Sequence, residues 1–233
     1  MYCFVDYRIS SEESKNLSML NVDIIKVPKC SNVYEAINGH PDIQLNILKS
    51  NDADIIIHKN MDAAFQKTLK TNNIKYIVSK NALSNTYPYD ILLNSLILNN
   101  SFIHNIKYTD ANLLKTQNGK NFISVSQGYT KCSILPVNEK ALITSDMGIY
   151  KTLRKYDFDV LLVSPHDIVL PHLNYGFIGG TGGMIGSNTM AFFGDLEYYC
   201  CGKDILKFLY KYDVKPVYLQ KGKLIDRGSI LTL

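Results

Sequence analysis

Short apolar runs, separated by stretches long enough for a helix, set the rhythm of this chain. Cys3-Phe4-Val5-Asp6 reads as a buried strand. Ser10-Ser11-Glu12-Glu13 supplies an N-cap and first-turn carboxylates, which predicts a helix to about Leu20. Val22 to Val27 is a further strand, closed by Pro28. The next segment is fuller. Asp42 to Leu48 and Asp54 to His58 read as strands joined by a turn over Lys49 to Asp52. Met61, Phe65 and Leu69 share one helix face, and Tyr76 to Ser79 is a third strand. The order strand, strand, helix, strand then recurs three times, with helices predicted from about Thr109 to Thr116, from a cap at Asp146 to about Tyr156, and from Lys203 to Tyr212.

The two ends of the chain complete each other. The N-terminal unit lacks its first strand, and the C-terminus has one over 228–233 with no unit of its own. Placing Ile230 to Leu233 beside Cys3 to Asp6 yields a fifth unit and closes a ring, which leaves fewer exposed sheet edges. The expectation is therefore an α/β fold of five ββαβ units in one domain, at about 228–233 plus 1–27, 42–79, 90–126, 132–164 and 177–219. An internal echo supports a repeat: Asp42-Ile43-Gln44-Leu45-Asn46 returns as Asp90-Ile91-Leu92-Leu93-Asn94. The alternative is an open α/β sheet.

Composition narrows the functional classes. Net charge is +4 with the lysines scattered, which gives no clear nucleic-acid signal. Five cysteines, no C-x-x-C pair and no basic leader predict free thiols and a cytoplasmic location. No run of 18 apolar residues predicts a membrane span. No cysteine or histidine pair has ligand spacing, so neither a metal nor another cofactor is expected. A homo-oligomer is compatible with the sequence.

In a closed ring the first strand of each unit lines a central pore, so its polar residues face one cavity. These strands offer His40, Asp42 and Asn46; Asp90 and Asn94; Thr130, Lys131, Cys132 and Ser133; Gly179, Gly180 and Thr181; Ser229 and Thr232. Buried polar groups cost stability unless they find partners, and they can satisfy each other or a ligand. The second strands end in His58, His104, Thr144 and Gly194, read here as packing groups. The glycines of Phe177 to Gly183 lack the following Lys-Ser/Thr of a phosphate loop and read as points of close backbone approach. Cys200 and Cys201 read as surface thiols.

Five ββαβ units around a pore resemble the pentein, or guanidine-modifying enzyme, superfamily, an α/β propeller that includes arginine and agmatine deiminases, dimethylargininases and amidinotransferases, and also a non-catalytic ribosome anti-association factor. Gly39-His40-Pro41-Asp42 is similar to the Gly-His-x-Asp of agmatine deiminases, and Gly128-Tyr129-Thr130-Lys131-Cys132-Ser133-Ile134 is similar to the glycine-led strand bearing the nucleophilic cysteine. His40 and Cys132 lie 92 residues apart, two units along, in the order of catalytic members. Two units back from His40 stands Ile178-Gly179-Gly180-Thr181, where relatives often carry Glu-Gly-Gly-Asp. Ile178 and Thr181 thus replace two carboxylates, Pro41 replaces an apolar residue, and Ser229-Ile230-Leu231 lacks the C-terminal cysteine of most relatives.

The resemblance implies a hydrolase or transferase for a C–N bond of a small guanidino- or amidino-like substrate held in the pore. Cys132 is then the nucleophile, with a pKa lowered by Lys131; His40 is the acid and base, with Asp42 orienting its ring or gripping substrate; Asp90, Asn94, Gly180 and Thr181 bind substrate. The alternative is a non-catalytic binding or assembly module on the same fold.

Overall fold

The computed structural model describes residues 1–48, 50 and 53–233; the turn expected over Lys49 to Asp52 lies, Ser50 apart, outside the described residues. The chain forms β1 (Tyr2–Asp6), α1 (Ser11–Ser18) and β2 (Asp23–Val27), then α2 (Pro41–Gln44), β3 (Leu45–Ile47), β4 (Ile55–Ile57), α3 (Ala63–Thr71) and β5 (Tyr76–Val78). Next come β6 (Leu96–Ile97), β7 (Ser101–His104), α4 (Ala111–Lys115) and β8 (Asn121–Ser124), followed by α5 (Thr130–Ser133), β9 (Ile134–Pro136), β10 (Ala141–Thr144), α6 (Met147–Leu153) and β11 (Asp159–Leu162). β12 (Gly182–Met184), β13 (Thr189–Phe192), α7 (Gly202–Lys211), β14 (Lys215–Tyr218) and β15 (Leu231–Thr232) complete it.

Local chemistry explains where the helices begin. Ser10 Oγ accepts the Glu13 N–H at 3.0 Å while Glu13 Oε2 accepts the Ser10 N–H at 2.6 Å, a capping box for α1. Asp62, Asp110 and Asp146 cap α3, α4 and α6. Phe65 and Leu69, one face of α3, are buried.

The strands form five three-stranded sheets, β15-β1-β2, β3-β4-β5, β6-β7-β8, β9-β10-β11 and β12-β13-β14. In each, the first strand runs antiparallel to the second and the second parallel to the third. β15 closes the ring, pairing Cys3 with Thr232 and Phe4 with Leu231. A latch holds this closure: Arg227 bonds the fully buried Glu13 carboxylate at 3.1 Å.

Between successive sheets lie five separate apolar clusters. Val5, Leu17 and Phe193 pack in one, Phe4, Leu45 and Phe65 in the next, and Ile56, Leu93 and Phe102 in a third. Ile123, Ile134 and Leu153 fill the fourth, and Leu135, Phe192 and Leu209 the fifth. Each side chain so buried contributes roughly 1.5–3 kcal/mol, and the force holding the ring is spread over all five seams. Among the described residues no helix is long and apolar enough to cross a membrane.

The echo at Asp42 and Asp90 is not the structural register. Leu45 faces Ile57 and Leu96 faces Ile103, each one residue before the strand-end histidine, so the units superpose Leu45 on Leu96 rather than on Leu93. Asp90 and Asn94 are therefore not the counterparts of Asp42 and Asn46.

Candidate active site

The chemistry-bearing residues sit one turn before the inner strands rather than on them. Asp42 belongs to α2, Cys132 to α5, and Gly180 and Thr181 to a 3₁₀ turn over Ile178–Thr181 that leads into β12. Hydroxyls compete with a strand ladder by bonding their own backbone: Thr130 donates to the Gln127 carbonyl and Thr181 to that of Ile178, both at 2.7 Å. Pro41 occupies the first position of α2, where its missing N–H costs nothing and its fixed φ favours the helix. These turns meet at the axis through backbone bonds: Asp42 N–H donates to the Gly228 carbonyl, Lys131 N–H to that of Asn94, and Ser229 N–H to that of Gly180.

One constellation results. His40, Asp42 and Cys132 are all buried, with a ring nitrogen, a carboxylate oxygen and Sγ within 4.8 Å of one another. Asn94 places the thiol: Nδ2 donates to Cys132 Sγ at 3.1 Å and to the Asp42 carbonyl at 2.9 Å, while Oδ1 accepts the N–H groups of Lys131 and Cys132. Both ring nitrogens of His40, Asp42 Oδ1 and Asp90 Oδ1 are buried without a hydrogen-bond partner among the described residues. Buried polar atoms are ordinarily paired, so the His40 nitrogens and Asp42 Oδ1 leave this cluster with unused hydrogen-bonding capacity.

The carboxylate facing this cluster comes from Asp226, not from the Ile178–Thr181 turn. Asp226 Oδ1 lies 3.8 Å from His40 Nδ1, and its two oxygens accept the N–H groups of Gly228 and Phe177 at 3.0 and 2.8 Å. Burial pushes the Asp226 carboxyl up and the His40 charge pulls it down. Gly180 makes room for it; a Cβ there would come within 1.8 Å of Asp226 Oδ1. Thr181 spends its hydroxyl inside its own turn. Sequence reasoning missed Asp226 because it counted two units back from His40. One unit back, just ahead of the closing strand, stands Asp226-Arg227-Gly228-Ser229.

Lys131 does not prime Cys132 as expected. Its Nζ donates to Ser229 Oγ at 2.8 Å, and that hydroxyl donates to Asp42 Oδ2 at 2.6 Å, with the Gly179 carbonyl 2.8 Å away as an alternative acceptor. Burial pulls the Lys131 amine down, opposed by Asp42. Burial also pushes the Cys132 thiol well up, and Asp42 pushes it further. A dry site beside carboxylates disfavours a thiolate more strongly than a buried lysine favours it. The direction of this shift favours the thiol form of Cys132.

Above the cluster opens a cavity of about 270 Å³, lined by Tyr34, Tyr129, Leu170, Leu173, Tyr175 and Phe177 and floored by His40, Cys132 and Asp226. Tyr129 and Phe177 stack with ring centroids 5.9 Å apart, and Tyr175 meets Phe177 edge-on. Asp90 reaches this wall indirectly. Its Oδ2 accepts the Tyr129 hydroxyl, which in turn accepts that of Tyr34 at 3.2 Å; burial pushes the Asp90 carboxyl up.

The other histidines at strand ends are structural. His104 Nε2 donates to the Gly128 carbonyl at 3.1 Å and Nδ1 lies 2.7 Å from the Thr109 hydroxyl. Burial holds both His58 and His104 neutral, pulling each down to about 4. The thiol of Cys200 is exposed and that of Cys201 partly so.

Two solved structures share this architecture. A Cys-to-Ser variant of DDAH from Pseudomonas aeruginosa, complexed with citrulline, matches with a TM-score of 0.54 at 9% identity over 94% of this chain and 92% of that one. SxtG, an amidinotransferase of the saxitoxin biosynthetic pathway from Microseira wollei, matches with a TM-score of 0.54 at 8% identity over 93% of this chain and 75% of that one. The fold is that of the pentein superfamily. The chain belongs to the "Family of unknown function (DUF6873)", whose model matches residues 4–231. No curated protein sequence matches significantly.

Proposed function

We propose that this protein acts on a C–N bond of a small guanidino- or amidino-like molecule held in the axial cavity, as a hydrolase or transferase. The observation that carries this reading is the meeting of His40, Asp42 and Cys132 within 4.8 Å at the floor of a cavity that Asp226 also faces. Cys132 is the nucleophile, His40 the acid and base, and Asp42 and Asp226 hold His40 and the cationic substrate. Asn94 positions the thiol, and Asp90 acts through Tyr129. Gly180 and Thr181 shape the site rather than touch substrate, Gly180 by admitting Asp226.

The resting thiol defines the first step. A bound amidinium brings positive charge next to Sγ and offsets the neighbouring carboxylates, which lowers the thiol pKa when it is needed. His40 takes the thiol proton as the S–C bond forms, and the amidino carbon becomes tetrahedral. His40 then returns that proton to the leaving nitrogen as the C–N bond breaks, leaving an amidino group on Cys132. Water, deprotonated by His40, attacks this carbon; the C–S bond breaks, and the thiolate is reprotonated. The sum is substrate plus water to a carbonyl product plus an amine. In a transferase a second amine replaces the water.

One observation favours a second reading, ligand binding without chemistry: the thiol is pushed up rather than down. Incubation with methylguanidine and acetamidine, with amine or ammonia release measured, separates the two. Turnover by the native chain that falls at least 1000-fold in Cys132→Ser and His40→Asn supports catalysis; binding of either cation with no release supports the binding module.

A further inference from the structure

The residues that line the cavity carry one carboxylate, Asp226, and neither lysine nor arginine. The cations nearby are committed elsewhere. Lys131 lies buried in the floor with its ammonium on Ser229. Arg8 is held by both oxygens of Asp6 and by the carbonyls of Glu35 and Ala36. His172, adjacent in sequence to the lining residue Leu173, has Nε2 4.0 Å from the Glu35 carboxylate, both exposed. A ligand entering here meets the Asp226 carboxyl at the bottom and, apart from Asn174, mainly apolar and aromatic surface above it.

We infer that the ligand is a monocationic amidine or guanidine carrying an apolar, preferably aromatic, substituent and no carboxylate. This deepens the reading above and rests on it. The amidinium sits at the floor with N–H groups toward Asp226, and its substituent lies against Tyr129, Phe177 and Tyr34. Ring faces favour both an aromatic neighbour and a nearby cation. An amino-acid carboxylate in this vestibule would be desolvated with no cation to pair with, which costs several-fold to orders of magnitude in affinity. Small apolar ligands suit the space, since about 270 Å³ lies just below the roughly 300–1,000 Å³ usual for ligand pockets. The rim supplies the outer contact: Leu173 and Tyr175 are 49% and 42% exposed, apolar surface left open at the entrance.

Calorimetric titration of the full chain carrying Cys132→Ser, which blocks turnover, tests this with four ligands: phenethylguanidine, methylguanidine, arginine and neutral phenethylurea. Phenethylguanidine is expected to bind at least 10-fold tighter than methylguanidine and arginine and at least 10-fold tighter than phenethylurea. Asp226→Asn is expected to remove the preference for guanidine over urea. Tyr175→Ala with Leu173→Ala, at exposed positions that leave folding intact, is expected to weaken phenethylguanidine several-fold and leave methylguanidine unchanged. Arginine binding as tightly as phenethylguanidine, or methylguanidine matching it, overturns this ligand class while leaving the amidino reading in place. Equal binding of the urea, or no binding of any cation, overturns both.

Discussion

At the residue scale the site is made by burial as much as by identity. His40 and His58 are both buried histidines beside the end of a short strand, yet they do different work. His40 faces Asp226 and Cys132 across a cavity, whereas burial holds His58 neutral, down to about 4. His104 behaves like His58 and is bonded on both nitrogens. Both groups have folded pKa values below the ordinary 6.5, so unfolding takes up protons. Their contribution to stability is complete above about 6.5 and is lost as pH falls from there to about 4, roughly 3 kcal/mol for each at the low end. Urea midpoints measured from pH 7 to pH 4 are therefore expected to fall. His104→Gln, which keeps a donor and an acceptor, is expected to be less stable at pH 7 and to show a shallower fall; an unchanged slope would place the titrating groups elsewhere.

At the scale of elements the one-turn helices decide what was legible. The alternation of apolar runs located the strands and the caps located the helices, because both are local patterns. Asp62, Asp110 and Asp146 stand where their helices start. The turns at Pro41–Gln44 and Thr130–Ser133 were read as strand because four residues are too few to show a helical period. His40, Asp42 and Cys132 could be named from local motifs. Asp226 could not, because its partnership with His40 spans the closure of the ring and depends on the empty space at Gly180. The direction of the Cys132 shift was illegible for a related reason: desolvation is a property of the packed site. Gly228 tests the element that carries Asp226 and Ser229. Its φ is +69°, and a Cβ would lie 2.3 Å from that of His40. Gly228→Ala is expected to cost about 1–3 kcal/mol in strain and to displace His40, so that reactivity at Cys132 falls further than the urea midpoint alone accounts for. Loss of stability with full reactivity would show that His40 does not depend on this turn.

At the scale of the whole molecule five small sheets share one axis, and the ring is held where the two ends of the chain meet. Glu13 is fully buried and Arg227 is its charge partner across that seam. Arg227 is partly exposed and the Ser10 N–H still bonds Glu13 without it, so breaking this pair costs about 1.5–3 kcal/mol, as for a hydrogen bond to a charged group. Arg227→Met is expected to destabilise by that order, and the double change with Glu13→Gln by clearly less. Additive losses would mean that the pair does not couple the ends. The same closure brings Asp226 to His40, so the fold and the proposed chemistry depend on one event.

The central claim is that Cys132, His40 and Asp226 form a site for amidinium chemistry. It is tested most directly by comparing two alkylating agents of nearly equal size, cationic 2-chloroacetamidine and neutral 2-chloroacetamide, with the labelled residue read by mass spectrometry. The amidine is expected to modify Cys132 at least 100-fold faster than the amide after correction for their rates with free glutathione, and Asp226→Asn is expected to erase that ratio. Equal corrected rates for the two reagents at Cys132 would contradict the account.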